Sequence, residues 1–109
     1  MSLYESLKQA SDNKDVQAYL DLLHDDYVFV RHQTNTEVNK LDWTPVVTAM
    51  MQSDALEVLN ARCLYENSEI LVMHQVMKFP DATKEAVLIV HNLKEGKIIR
   101  SETGATPLK

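Results

Sequence analysis

The apolar positions of this chain recur at two periods, and the change from one to the other falls near residue 56. Leu3, Tyr4, Leu7 and Ala10 stand three and four apart, with Glu5, Lys8 and Gln9 between them. That spacing predicts an amphipathic helix with one buried face. Asp12-Asn13 interrupts it, and Asp12 followed by Asp15 resembles a capping box for a second helix. Val16, Tyr19, Leu20 and Leu23 then give one apolar stripe over residues 15–23. His24-Asp25-Asp26 leads directly into a strand over 27–32. Trp43, Val46, Val47, Met50 and Met51 predict a third helix over 42–52, capped by Asp42 or Thr44, with Pro45 in its first turn.

Beyond residue 56 the pattern is that of strands, at 57–66, 69–79, 85–93 and 97–103, separated by Asn67-Ser68, Pro80-Asp81 and Lys94-Glu95-Gly96. Connections this short make neighbouring strands antiparallel. Gly96 is expected to close a three-residue hairpin as a bulge, which sets His91 beside Ile99 and near Ser101. The strands are apolar on both faces. One face of the second holds Ile70, Val72, His74 and Val76; the other holds Leu71, Met73, Gln75, Met77 and Phe79. A sheet with one solvated face alternates apolar with polar instead. Three helices cover one face, so the other predicts a homodimer, assigned to the face with Leu71, Met73, Met77 and Val90.

The order helix, helix, strand, helix, strand meander resembles the nuclear transport factor 2-like superfamily, which includes ketosteroid isomerase and the SnoaL-like polyketide cyclases. The residues that carry the likeness are Asp15-Val16, the run from Leu23-His24-Asp25-Asp26 through Val30, and Glu95-Gly96-Lys97-Ile98-Ile99-Arg100. The resemblance implies a single α+β domain over residues 1–109. Its curved, cone-shaped antiparallel sheet surrounds a pocket, about three N-terminal helices close the concave face, and copies pair through the convex face. It does not bring the isomerase's catalytic residues. The position of the aspartate base falls at Arg31, or at His32 with a slip of one residue. That of the tyrosine falls at Leu7, and that of the second acid near Ile89. A proton shuttle between carbons needs a base and an oxyanion donor, so steroid isomerisation is not expected.

Charge and composition narrow the partners. Asp and Glu number 16 against 11 Lys and Arg, a net charge of −5, which argues against nucleic acid. No apolar run suits a membrane span, and one cysteine, Cys63, excludes an internal disulfide. Cys63 is expected to be a small buried hydrophobe in a reducing cytoplasm.

The candidate pocket residues are Tyr19, Tyr27, Phe29, Arg31, Trp43, His74, His91, Ile99 and Ser101. Arg31 shares a strand face with Tyr27 and Phe29 and could bind a carboxylate or phosphate through its planar fork. His74 and His91 are lone imidazoles in apolar strands; each is either a hydrogen-bonded core histidine or part of an acid–base pair. Trp43 is read as core or as pocket wall. No carboxylate falls at a secure inward position, and Asp25-Asp26 reads as turn chemistry. No close-set ligand pair suggests a metal, and no cofactor is expected. These residues favour a protein that binds a small apolar or weakly anionic ligand. A SnoaL-like isomerase, cyclase or hydrolase using the histidines, and a protein-association module, are the alternatives.

Overall fold

The computed structural model describes residues 2–109. It folds the chain as α1 (Leu3–Asp12), α2 (Val16–Leu20), β1 (Leu23–Arg31), a 3-10 turn (His32–Thr34) and β2 (Thr36–Asn39). There follow α3 (Lys40–Gln52), β3 (Glu57–Glu66), β4 (Ile70–Lys78), β5 (Lys84–Lys94) and β6 (Lys97–Leu108). The strands form one open six-stranded sheet in the order β2-β1-β6-β5-β4-β3. All neighbours are antiparallel except β1 and β6, which run parallel. A parallel pair cannot be joined by a tight turn, and here the rest of the domain forms the connection. No helix among the described residues is long and apolar enough to cross a membrane.

Each helix is fixed at its start by a side chain. Ser2 accepts from the Glu5 amide and Glu5 accepts from the Ser2 amide, a complete capping box for α1. The Glu66 carboxylate, from the end of β3, accepts from the Leu3 and Tyr4 amides at 3.0 and 3.3 Å. An anion there also suits the positive end of the helix dipole, so α1 is tied to the sheet it covers. Asp15, not Asp12, caps α2 through the Ala18 amide. That helix stops at Leu20, so Leu23 opens β1 instead of closing the helix. Asn39 caps α3 by accepting from the Asp42 amide at 2.9 Å. The helix therefore begins two residues before the expected position, and Pro45 lies inside it. Pro45 has no N–H for the Leu41 carbonyl, and Leu41 is 81% exposed, so water can solvate that oxygen.

The helices cover one face of the sheet. Leu7, Trp43 and Val47 pack there against Leu23, Tyr27, Leu71, Met73, Met77, Val87, Ile89 and Ile98. Leu71, Met73 and Met77 therefore belong to the core, which corrects their assignment to a dimer face. The outward face of β4 carries Val72, His74 and Val76, opposite Val90, Leu88 and Ala86 of β5. Period two separates the two sets but does not say which is inside when both are apolar. Cys63 is exposed, not buried, because it stands on the edge strand β3.

The β5–β6 hairpin departs from expectation in an instructive way. Lys94 pairs with Lys97, so Glu95 and Gly96 form a two-residue turn, with φ of +55° and +77°. Positive φ at both positions is the turn that matches strand twist. Leu93 still pairs with Ile98, but Asn92 pairs with Arg100, so Ile99 is an extra residue in β6. That bulge shifts the register by one and sets His91 opposite Ser101.

Candidate functional site

Between the helices and the concave face of the sheet lies a cavity of about 590 Å³. Its walls are mostly apolar: Leu7 of α1, Val47, Met50 and Met51 of α3, and Met73, Met77, Val87 and Ile89 of the sheet. The exposed Val58 and Asn60 of β3, with Lys14 after α1, mark the mouth.

Of the sequence candidates, Tyr19, Tyr27, Phe29, Arg31, Trp43, His91 and Ser101 line this cavity. His74 does not: it pairs with Leu88 and Arg62 on the outward face. The expected acid–base pair of histidines is therefore split across the sheet. Ile99 is also outside, because as the bulge residue it pairs with no residue of β5, while Ile98 is fully buried beside Leu23. Leu7 and Ile89, where the resemblance placed a tyrosine and an acid, are both cavity wall, as aliphatics. Asp25 and Asp26 are exposed in an irregular stretch of β1, far from a shared-proton arrangement.

Trp43 serves in both of the roles considered for it. It is 7% exposed, and its ring stacks on Phe29 with centroids 3.9 Å apart and planes 8° from parallel. Its Nε1 donates to the Tyr19 hydroxyl at 3.0 Å. The stack thus forms a flat aromatic wall, held by α3 on one side and β1 on the other.

The polar groups of the inner wall are few and uncharged. His91 lies within 2.7 Å of Ser101 Oγ through Nδ1. Burial alone lowers its pKa from 6.5 to about 4, so the ring is neutral near pH 7. Tyr27 is 1% exposed, and its hydroxyl forms no hydrogen bond of acceptable geometry among the described residues. Tyr19 and Ser101 are its polar neighbours, and burial pushes its phenol well above the ordinary range. A buried hydroxyl without a partner costs stability.

The cations on the cavity wall are paired. Lys8 binds Asp12 at 2.8 Å, Lys14 binds Asp54, and Arg31 Nη2 meets Glu85 Oε1 and Oε2 at 3.0 and 3.1 Å. Glu85 was missed in the sequence, where no carboxylate was placed inward. The signal was present: Glu85, Val87, Ile89 and His91 alternate along one face of β5. Among the described residues no group of three or more acidic, histidine or cysteine side chains could hold a metal ion.

No protein-family model matches the sequence, and no curated protein matches it. Solved structures do match. A nuclear transport factor 2-like protein of unknown function from Burkholderia xenovorans is 14% identical, with 96% of this chain and 80% of that chain covered at a TM-score of 0.76. A candidate ketosteroid isomerase from Kribbella flavida is 10% identical, over 96% of this chain and 76% of that one, at 0.78. A candidate polyketide cyclase from Streptomyces antibioticus is 13% identical, over 93% and 87%, at 0.68. Identities this low speak for architecture alone. Helices packed on the concave face of an open, cone-shaped sheet, matched over nearly the whole chain by these structures, give this protein the nuclear transport factor 2-like fold.

Proposed function

We propose that this protein binds a small, mostly apolar molecule in the cavity between its helices and its sheet, and that it does so as a homodimer. The observation that carries the ligand reading is the cavity of about 590 Å³ with an apolar wall and the Phe29–Trp43 stack in it. Small-ligand sites typically enclose roughly 300–1,000 Å³ and carry a few placed polar groups. The Phe29–Trp43 stack suits a flat ring, and the neutral His91 suits one oxygen on it. The likeness to a candidate cyclase and a candidate isomerase supports use of the cavity for such molecules. It does not extend to isomerase chemistry, since Leu7 and Ile89 replace the groups that a proton shuttle would need.

A titration with oxygen-bearing aromatic fragments tests this reading. Binding is expected to shift the His91 ring resonances and the emission of Trp43. Tyr27→Phe is expected to leave fragment affinity within about twofold, because the buried hydroxyl has no surface open to a ligand. The same change is expected to stabilise the unliganded protein by about 1 kcal/mol, because a buried, unpaired hydroxyl is removed. If no fragment moves either signal, the cavity does not serve as a ligand site, and the association reading takes its place.

The dimer reading rests on the outward face of the sheet, where Val72, Val76 and Val90 are half-buried and Leu88 is 44% exposed. A partner copy would need to bury roughly 1,200–2,000 Å² in total for a stable interface. Leu88→Asp is expected to weaken the dimer at least tenfold, because a charge would be desolvated without a partner. Sedimentation of the unaltered protein as a monomer at ~100 μM, far above the Kd of ordinary stable interfaces, would defeat the reading.

A further inference from the structure

We propose that Glu85 is a specificity-determining residue that makes the cavity select uncharged ligands over anionic ones. The inference rests on the cavity-binding reading above and concerns which ligands that site accepts.

Arg31 is the cavity cation whose planar fork matches an anion. Its guanidinium is already answered by a carboxylate. Nη2 donates to both oxygens of Glu85, at 3.0 and 3.1 Å, and to Gln33 Oε1. The pair is partly shielded: the Glu85 side chain is 12% exposed and that of Arg31 is 30%. The sheet fixes both partners. Arg31 ends β1 opposite Thr103 of β6, and Glu85 lies on β5 in the inward set with Val87, Ile89 and His91. Glu85 also stands opposite Met77, whose side chain lines the cavity.

The charges of the pair cancel, so a carboxylate entering beside Arg31 gains little attraction and meets the like charge of Glu85. An incoming anion would have to displace Glu85, and a displaced, half-buried carboxylate is costly. A neutral oxygen meets no such penalty. Nor does the deep wall offer a charge to an anion. His91 is neutral and Tyr27 and Ser101 are hydroxyls. Lys8 and Lys14, the other cations of the wall, are likewise paired, with Asp12 and Asp54. The sequence alone suggested a weakly anionic ligand because Arg31 was visible and its partner was not.

Two compounds of the same shape test this, 2-naphthamide and 2-naphthoate, titrated at pH 7 by isothermal titration calorimetry. The unaltered protein is expected to bind the amide at least about tenfold more tightly than the carboxylate. Glu85→Gln is expected to raise naphthoate affinity by about tenfold or more and to leave naphthamide within about threefold, because the guanidinium is then free to pair with the ligand. The double variant Arg31→Gln with Glu85→Gln should restore a preference for the amide. If Glu85→Gln does not fold, Arg31→Gln decides, since it leaves Glu85 unanswered and must increase discrimination against naphthoate. Amide binding with naphthoate affinity unmoved by Glu85→Gln, or with discrimination unmoved by Arg31→Gln, overturns the role of Glu85 and leaves the cavity reading standing. If neither compound binds any of the proteins, the cavity reading fails, and this inference fails with it.

Discussion

Replacing Trp43 by alanine is expected to cost about 3–5 kcal/mol of folding stability, the range for deleting a large buried aromatic. Three losses combine. The indole is 7% exposed, so nearly all its apolar surface returns to a void. The stack on Phe29 at 3.9 Å is lost, and aromatic pairs contribute about 0.5–1.5 kcal/mol beyond their burial. The Tyr19 hydroxyl also loses the donor at 3.0 Å. Trp43→Phe separates these terms. It keeps a ring against Phe29 and is expected to cost about half as much, mainly the hydrogen bond and some volume. Urea unfolding followed by circular dichroism is the measurement, because Trp43 is the chain's one tryptophan and its emission disappears with it. The midpoint should fall while the slope stays constant. A loss for Trp43→Ala below ~1.5 kcal/mol, less than large core aromatics cost, would mean that the wall it forms yields to solvent without harm to the core.

Acidification from pH 7 to pH 4 is expected to remove roughly 3 kcal/mol of stability through His91 alone. The sign follows from its burial. The folded state holds the ring neutral, with its pKa lowered from 6.5 to about 4. The unfolded chain therefore takes up the proton first as pH falls. The stabilising contribution is fully present above 6.5, falls away between 6.5 and about 4, and changes no further below that. At about 1.4 kcal/mol per pH unit, that interval gives the figure of roughly 3 kcal/mol. His91→Gln keeps a polar group beside Ser101 and does not titrate. Across this interval its stability should fall less than that of the unaltered protein by roughly the same 3 kcal/mol, since the carboxylates contribute equally to both. Parallel curves of unfolding free energy against pH would show that His91 is not held neutral by the fold.

The order of the elements and much of their extent were legible in the pattern of residues alone. Helical stripes such as Leu3, Leu7 and Ala10 and the strand residues Glu57–Glu66 are local patterns, and each element can be read within its own window. Caps were legible less sharply, since several nearby side chains can accept the same amide. Asp12 and Asp42 were plausible caps, and Asp15 and Asn39 do the capping. The four-residue β2 carried too short a pattern to be seen, and it exists because Val28–Arg31 of β1 offers it an edge.

What tertiary structure alone decided is which side of each strand faces in, and which residues meet there. On β4 both alternating sets are apolar, so period two could not orient the strand. Packing of Leu7, Trp43 and Val47 turned Leu71, Met73 and Met77 inward and left His74 outside. The parallel pairing of β1 with β6 joins residues more than 70 positions apart, and no window on the sequence contains both. Without that pairing Arg31 and Glu85 have no visible relation; with it they neutralise each other at 3.0 Å. The bulge at Ile99 has the same character. A two-residue turn alone would put Arg100 opposite His91, and one extra residue in β6 puts Ser101 there instead. Local periodicity fixes elements because it depends on neighbours in the chain, whereas the cavity's chemistry depends on register between strands, and register is set by the packing of the whole sheet.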